Sequence, residues 1–120
     1  NEKNFDQEKF RFAANFAKVD KFINQFDNMY DYKVGSHSRR ISSGQRQRIA
    51  LSRAIYNLRE ILILDEATNA VDEKTEKEIF ENIYNLKENK TVIIVSHNKK
   101  NLEKCDKTYE VNDNSIKEIT

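Results

Sequence analysis

Proline is absent from the 120 residues, and glycine occurs twice, at Gly35 and Gly44. A phosphate loop of the form GxxxxGK[ST], whose backbone amides wrap phosphates, is thereby excluded: the spacing is wrong, and Ser36 and Gln45 follow the two glycines. Cys105 stands alone, so there is neither an internal disulfide nor a cysteine-cluster metal site; a reducing compartment fits, and a small packed side chain is expected. No apolar run approaches the roughly 18 residues of a membrane span, and the opening NEKNFDQEK lacks the apolar centre of a signal peptide. Neither sign of charge dominates. Twenty-one Lys and Arg against 20 Asp and Glu leave +1, too little to make nucleic acid or an anionic membrane the main partner. The length suffices for one modest unit and not for two independent cores.

What is present is a succession of periodic segments. Residues 7–18 place Phe10, Ala13, Ala14 and Ala17 at helical spacing, and Asp20 is expected to cap a second helix carrying Phe22, Ile23 and Phe26. Residues 27–40 read as a polar loop without periodicity. The stretch ISSGQRQRIALSRA, residues 41–54, then opens a third helix that ends near Asn57. Two short apolar runs follow, residues 61–64 and 91–95, and each stops abruptly: Asp65 and Glu66 come after the first, Ser96 and His97 after the second. Both runs predict strands buried on both faces, as in a parallel sheet. Between them Asp72 caps a helix reaching about Leu86, with Ile79, Ile83 and Leu86 on one face. Strand, helix and strand in that order make a βαβ unit. A short helix over residues 101–105 and a hairpin, TYEV, NDNS, IKEI, close the chain.

Ligands of an open parallel sheet gather outside the carboxyl ends of its strands. Asp65, expected to face inward at the strand tip, suits Mg²⁺, held directly or through water; Glu66, on the other side, suits orienting or deprotonating a water. His97 stands where it could bond a developing phosphoryl oxygen. Together they fit phosphoryl transfer, in which catalysis is mostly positioning and charge stabilisation. Singly, each has a plainer reading: an acidic pair after a strand often starts a helix, a strand-end histidine often bonds backbone, and SSGQ is a common helix cap.

Taken together, ISSGQRQRIALSRAI, ILILDEAT, NAVD and VIIVSH resemble the C-terminal half of the nucleotide-binding domain of ATP-binding cassette (ABC) ATPases. ISSGQ is similar to the LSGGQ signature, ILILDE to the Walker B strand, NAVD to the D-loop and His97 to the switch histidine, and the likeness runs over about residues 10–119. The implied fold is α/β, the C-terminal part of a P-loop NTPase-like cassette. A helical subdomain with the signature loop and helix would occupy residues 1–57, and part of the ATPase core, with a parallel βαβ unit and a terminal hairpin, residues 58–120. The resemblance implies ATP and Mg²⁺ as cofactors. Asp65 would support the metal, Glu66 would activate water and His97 would sense the γ-phosphate. Ser42, Ser43, Gly44 and Gln45, with the amides of the helix they open, would bind the γ-phosphate of ATP held by an opposing subunit, and Asp72 would act across that interface. A helix start suits an anion because its N–H groups are unpaired and its dipole is positive.

The segment MYDYKVGSHSRRISSGQ also resembles the GYDTxVGExGxxLSGGQ pattern of exporter-type cassettes, with Tyr30, Asp31, Val34 and Gly35 matching; Thr75, Glu76, Cys105 and Asp106 look exporter-like too. The implied partners are a second nucleotide-binding domain, in a homo- or heterodimer, and the transmembrane domains of a transporter, with no nucleic acid. The implied location is the cytoplasmic face of a membrane, the chain itself being soluble. Departures from the pattern are Ser43 in place of a glycine, Ser36 and Ser38 in place of glutamate and glycine, Asn98 in place of arginine, and Asn114 with Ser115 at a turn where glycine is usual. With no Walker A, and an expected start at the helical subdomain, the chain reads as a fragment that alone binds ATP weakly or not at all and needs missing residues or a partner cassette. Two alternatives are a soluble ABC-type ATPase of repair, chromosomes or translation, and a non-catalytic half that lends its signature loop. The balanced charge and the exporter-like loop weigh against the first of them.

Overall fold

Asp6 starts the first helix, α1 (Gln7–Phe16), its carboxylate accepting the N–H groups of Glu8 and Lys9, both at 3.0 Å. The structure, a computed structural model, describes residues 5–26, 29–31 and 41–120. Helix α1 ends earlier than its periodicity predicts, because Lys18 adopts a left-handed φ of 58°. The N–H of Val19 then donates to the Ala14 carbonyl at 2.8 Å, and that of Lys18 to the Asn15 carbonyl at 3.0 Å, a closure usually built on glycine. This turn leaves Val19 already helical, so Asp20 is the first residue of α2 (Asp20–Ile23) rather than its cap. Met29–Asp31 form one 3-10 turn. The expected matches at Val34 and Gly35, and the departures at Ser36 and Ser38, lie outside the described residues.

Helix α3 (Ser43–Tyr56) begins in a reciprocal cap: Ser42 Oγ accepts the Gln45 N–H at 3.1 Å, and Gln45 Oε1 accepts the Ser42 N–H at 3.0 Å. Its buried face carries Leu51, Ile55 and, against expectation for a charged residue, Arg48. The Arg48 guanidinium donates to the Ala17 carbonyl at 3.1 Å and to the Lys18 carbonyl, and it lies 4.6 Å over the Phe22 ring. Those carbonyls lie at the cap of α1 and the residue after it, where the arginine adds a donor at the end of the helix; that of Lys18 also accepts the Lys21 N–H at 3.2 Å. Burial lowers its pKa from the ordinary arginine value, opposed by Asp72, Asp20 and Glu78.

Strands β1 (Ile61–Asp65) and β2 (Thr91–Val95) pair in parallel, Ile61 opposite Thr91 and Asp65 opposite Val95, with α4 (Glu73–Leu86) as the crossover. Leu62 and Leu64 join Ile79, Phe80 and Ile83 of α4 and the apolar faces of α1 to α3 in one continuous core. Helix α4 is also tied to the helical part by Asn82, which donates to the Phe16 carbonyl at 3.0 Å, and by Glu78, paired with Lys18 and Lys21.

The expected burial of both strand faces is corrected. Ile61 and Ile63 remain 59% and 65% exposed, Ile93 and Val95 about half exposed, because the core lies against one face only. Successive strand residues point to opposite faces, so Asp65 sits with Ile61 and Ile63 on the uncovered side and is exposed rather than inward-facing. After β2, residues Lys99–Leu102 form a 3-10 turn in place of the short helix expected over residues 101–105. The hairpin is present as β3 (Tyr109–Asn112) and β4 (Ser115–Glu118), antiparallel; Asn112 pairs with Ser115, so the turn is Asp113 and Asn114 alone. Among the described residues no helix is long and apolar enough to cross a membrane.

Candidate active site

The carboxyl ends of β1 and β2 carry the ionisable groups, and Glu66 is the residue most constrained there. Its φ is 46°, left-handed without being glycine; such a backbone costs about 1–3 kcal/mol and persists where surroundings dictate it. Those surroundings are visible. The Glu66 N–H donates to the Val95 carbonyl at 3.0 Å, and Glu66 Oε1 accepts the His97 N–H at 3.0 Å. The His97 ring reaches back over the same carboxylate, Nε2 lying 3.7 Å from Oε1, and is otherwise fully open. The structure therefore brings Glu66 and His97 together, and Oε2 makes no hydrogen bond or ion pair among the described residues.

Both border a cleft of about 230 Å³ between the strand ends and the start of α4. Leu51, Leu64, Phe80 and Ile83 line its apolar part; Glu66, Thr68, Asn69, Ser96 and Asn98 line its polar part. Glu76, on α4, organises that polar wall. Its Oε1 accepts from the Thr68 hydroxyl at 2.7 Å and the Asn101 amide at 3.0 Å, and its Oε2 from Asn98 at 3.4 Å, joining the loop after β1 to the loop after β2. Asn98, which stands where arginine was expected, thus has a partner, and Asn101 is buried.

Asp65 is exposed, and its carboxylate makes no hydrogen bond or ion pair among the described residues. No cluster of three or more metal-binding side chains occurs among them either. That donor set fits Mg²⁺, which is commonly held by one or two carboxylates completed by water and substrate phosphates. Asp72 caps α4 by accepting the Thr75 N–H at 3.0 Å. This bond is the first cause of a carboxyl held below the ordinary aspartate value.

The signature residues form a separate group. Ser42 and Gln45 cap each other, Ser43 is exposed at the first helical position, and Gly44 is buried. No hydrogen bond or ion pair joins any of the four to Asp65, Glu66 or His97 among the described residues. Ser43 is outside the left-handed region, so the glycine usual there is not required by backbone angle. Gly44 is required by packing: an added Cβ would lie 2.4 Å from the Ala70 carbonyl oxygen. Sequence reading assigned Gly44 to phosphate and missed this contact with the NAVD segment. It also missed Gln47, whose signal, an amide one turn beyond Gly44 on the same helix, has no meaning until its partners are seen.

The family model for ABC transporters matches residues 1–69 of the chain. The lipid A-core flippase of Escherichia coli K12 is 39% identical over 114 residues, and that of Vibrio vulnificus CMCP6 37% identical over 114 residues; each alignment covers 95% of this chain and 20% of the flippase. An Arabidopsis thaliana ABC transporter B family member 13 is 38% identical over 106 residues, 88% of this chain and 8% of that one. Among solved structures, a bacterial Atm1-family ABC exporter with ATP bound superposes with a TM-score of 0.83 at 27% identity, over 91% of this chain and 19% of that one. The chain spans about a fifth of the length of the flippases it matches.

Proposed function

The chain belongs to the ABC transporter family, and we propose that it supplies the water-activating half of an ATP-hydrolysing cassette that powers an exporter. Residues 1–57 act in this reading as the helical subdomain with the signature helix, and residues 58–120 as part of the ATPase core. The observation that carries the reading is Glu66: a residue fixed at the strand ends by β2 and the His97 N–H, with one carboxylate oxygen uncommitted among the described residues.

Glu66 Oε2 orients a water and takes its proton as the water attacks. The His97 N–H, donating to Glu66 Oε1, fixes the carboxylate, while the exposed His97 imidazole bonds the phosphoryl oxygen on which charge grows. Asp65 would hold Mg²⁺, which would supply neutralisation of phosphate charge. Ser42, Ser43, Gly44 and Gln45 present the positive start of α3 to ATP on a second nucleotide-binding domain, and Asp72 stands at the same interface. With no GxxxxGK[ST] in the chain, the phosphate cradle belongs to other residues. Transmembrane domains then receive the energy, with the cassette at the cytoplasmic face of the membrane.

Replacing the aligned stretch of the E. coli lipid A-core flippase by this chain tests the reading. The hybrid is expected to hydrolyse MgATP. A hybrid that folds and assembles yet shows no turnover would contradict it.

A further inference from the structure

We infer that Gln47 is a positioning residue, tying the start of α3 to the backbone of Glu66 so that displacement of the signature loop reaches the carboxylate of the same chain. The inference rests on the catalytic reading of Glu66. Gln47 lies one turn inside α3, and its carboxamide is used at both ends. Nε2 donates to the Glu66 carbonyl at 3.2 Å and to Asn69 Oδ1, while Oε1 accepts the Ala70 N–H at 2.9 Å. Three points of one loop are therefore held by one side chain.

Two further observations give this clamp its mechanical content. Gly44, on the preceding turn, has no Cβ, and the Ala70 carbonyl occupies the space a Cβ would fill, so backbone meets backbone and little slack remains between helix and loop. The left-handed Glu66 is held on its N–H and its carboxylate by β2 and the residues after it. Its carbonyl accepts from Gln47 at 3.2 Å and, at the longer distance of 3.4 Å, from the Asn69 N–H of its own loop. Helix α3 thus supplies the shorter bond to the carbonyl of a strained residue whose N–H and carboxylate are held by the strand end. A rigid helix with a direct bond to that residue transmits motion without any intervening chain of contacts.

The test uses the 120-residue chain without nucleotide, by amide hydrogen exchange and nuclear magnetic resonance. In the wild type, the Ala70 amide is expected to be protected; exchange at the rate of an unstructured amide would overturn the inference before any variant is made. Gln47→Glu keeps the acceptor for Ala70 and removes both donors, so the Glu66 and His97 amide resonances should move while Ala70 stays protected. Gln47→Ala removes all three bonds, and Ala70 should also exchange about 10-fold faster, the worth of one hydrogen bond. A merely structural role would lower the thermal midpoint and leave the His97 resonance in place, and that result would overturn the inference. Since no nucleotide is present, the outcome is separate from the ATPase reading, which stands or falls on turnover.

Discussion

Gly44 shows how a single residue can be singled out by sequence on one ground and be required by the structure on a second. Its position in ISSGQ pointed to phosphate, whereas the structure adds a packing partner, the Ala70 carbonyl, from a segment on the far side of β1. Gly44→Ala is expected to destabilise the chain by about 1–3 kcal/mol, the usual range for overpacking, seen as a lower thermal midpoint; an unchanged midpoint would show that the loop can withdraw at no cost. Such long-range contacts were not legible in the sequence, and neither were the two left-handed residues. Lys18 and Glu66 fill conformations that favour glycine, so the rule that glycine marks such turns had nothing to find. By contrast, Ser42, Gln45 and Asp72 were legible as caps, because a cap is a local arrangement in which side chain and amide lie within three residues.

At the scale of elements, α3, α4 and the parallel β1–β2 pair follow their hydrophobic periods, since each buries a stripe against the same core. The failure was burial on both faces. A run of isoleucine, leucine and valine satisfies either a one-sided or a two-sided strand, and only the packing decides. Ile93→Thr, on the uncovered face, is therefore expected to change stability by less than about 0.5 kcal/mol while reducing self-association in sedimentation; a large loss of stability would mean that the face is covered. The cap of α4 carries a pH dependence. Asp72 has a folded pKa below its unfolded value of about 3.9, so its contribution is full above that value and fades as pH falls through the depressed folded value. Asp72→Ala should cost about 0.5–1 kcal/mol near neutrality, an exposed site keeping the figure low. The gap between wild type and variant should narrow as acid is added, and a gap of unchanged size in strong acid would show that ionisation of Asp72 contributes nothing to it.

Across the whole molecule, one core joins the helical residues to the strand pair. Within it, the signature loop and the Glu66 loop are two separate groups connected through Gly44 and Gln47. Such an arrangement suits a chain that touches one nucleotide with its helix start and acts on another with its strand ends. The order of four motifs made the family legible, because each is a short local pattern. Their spatial relation was not, because it depends on which turns meet in the fold, here Gly44 and Gln47 against Ala70. The claim that binds these levels is that Glu66 is the group that takes the proton from water. Steady-state MgATP turnover by the flippase hybrid, compared with the same hybrid carrying Glu66→Gln, addresses it most directly. A fall of at least about 100-fold, the lower range for a lost general base, is the predicted result, and equal turnover by the two proteins would contradict it.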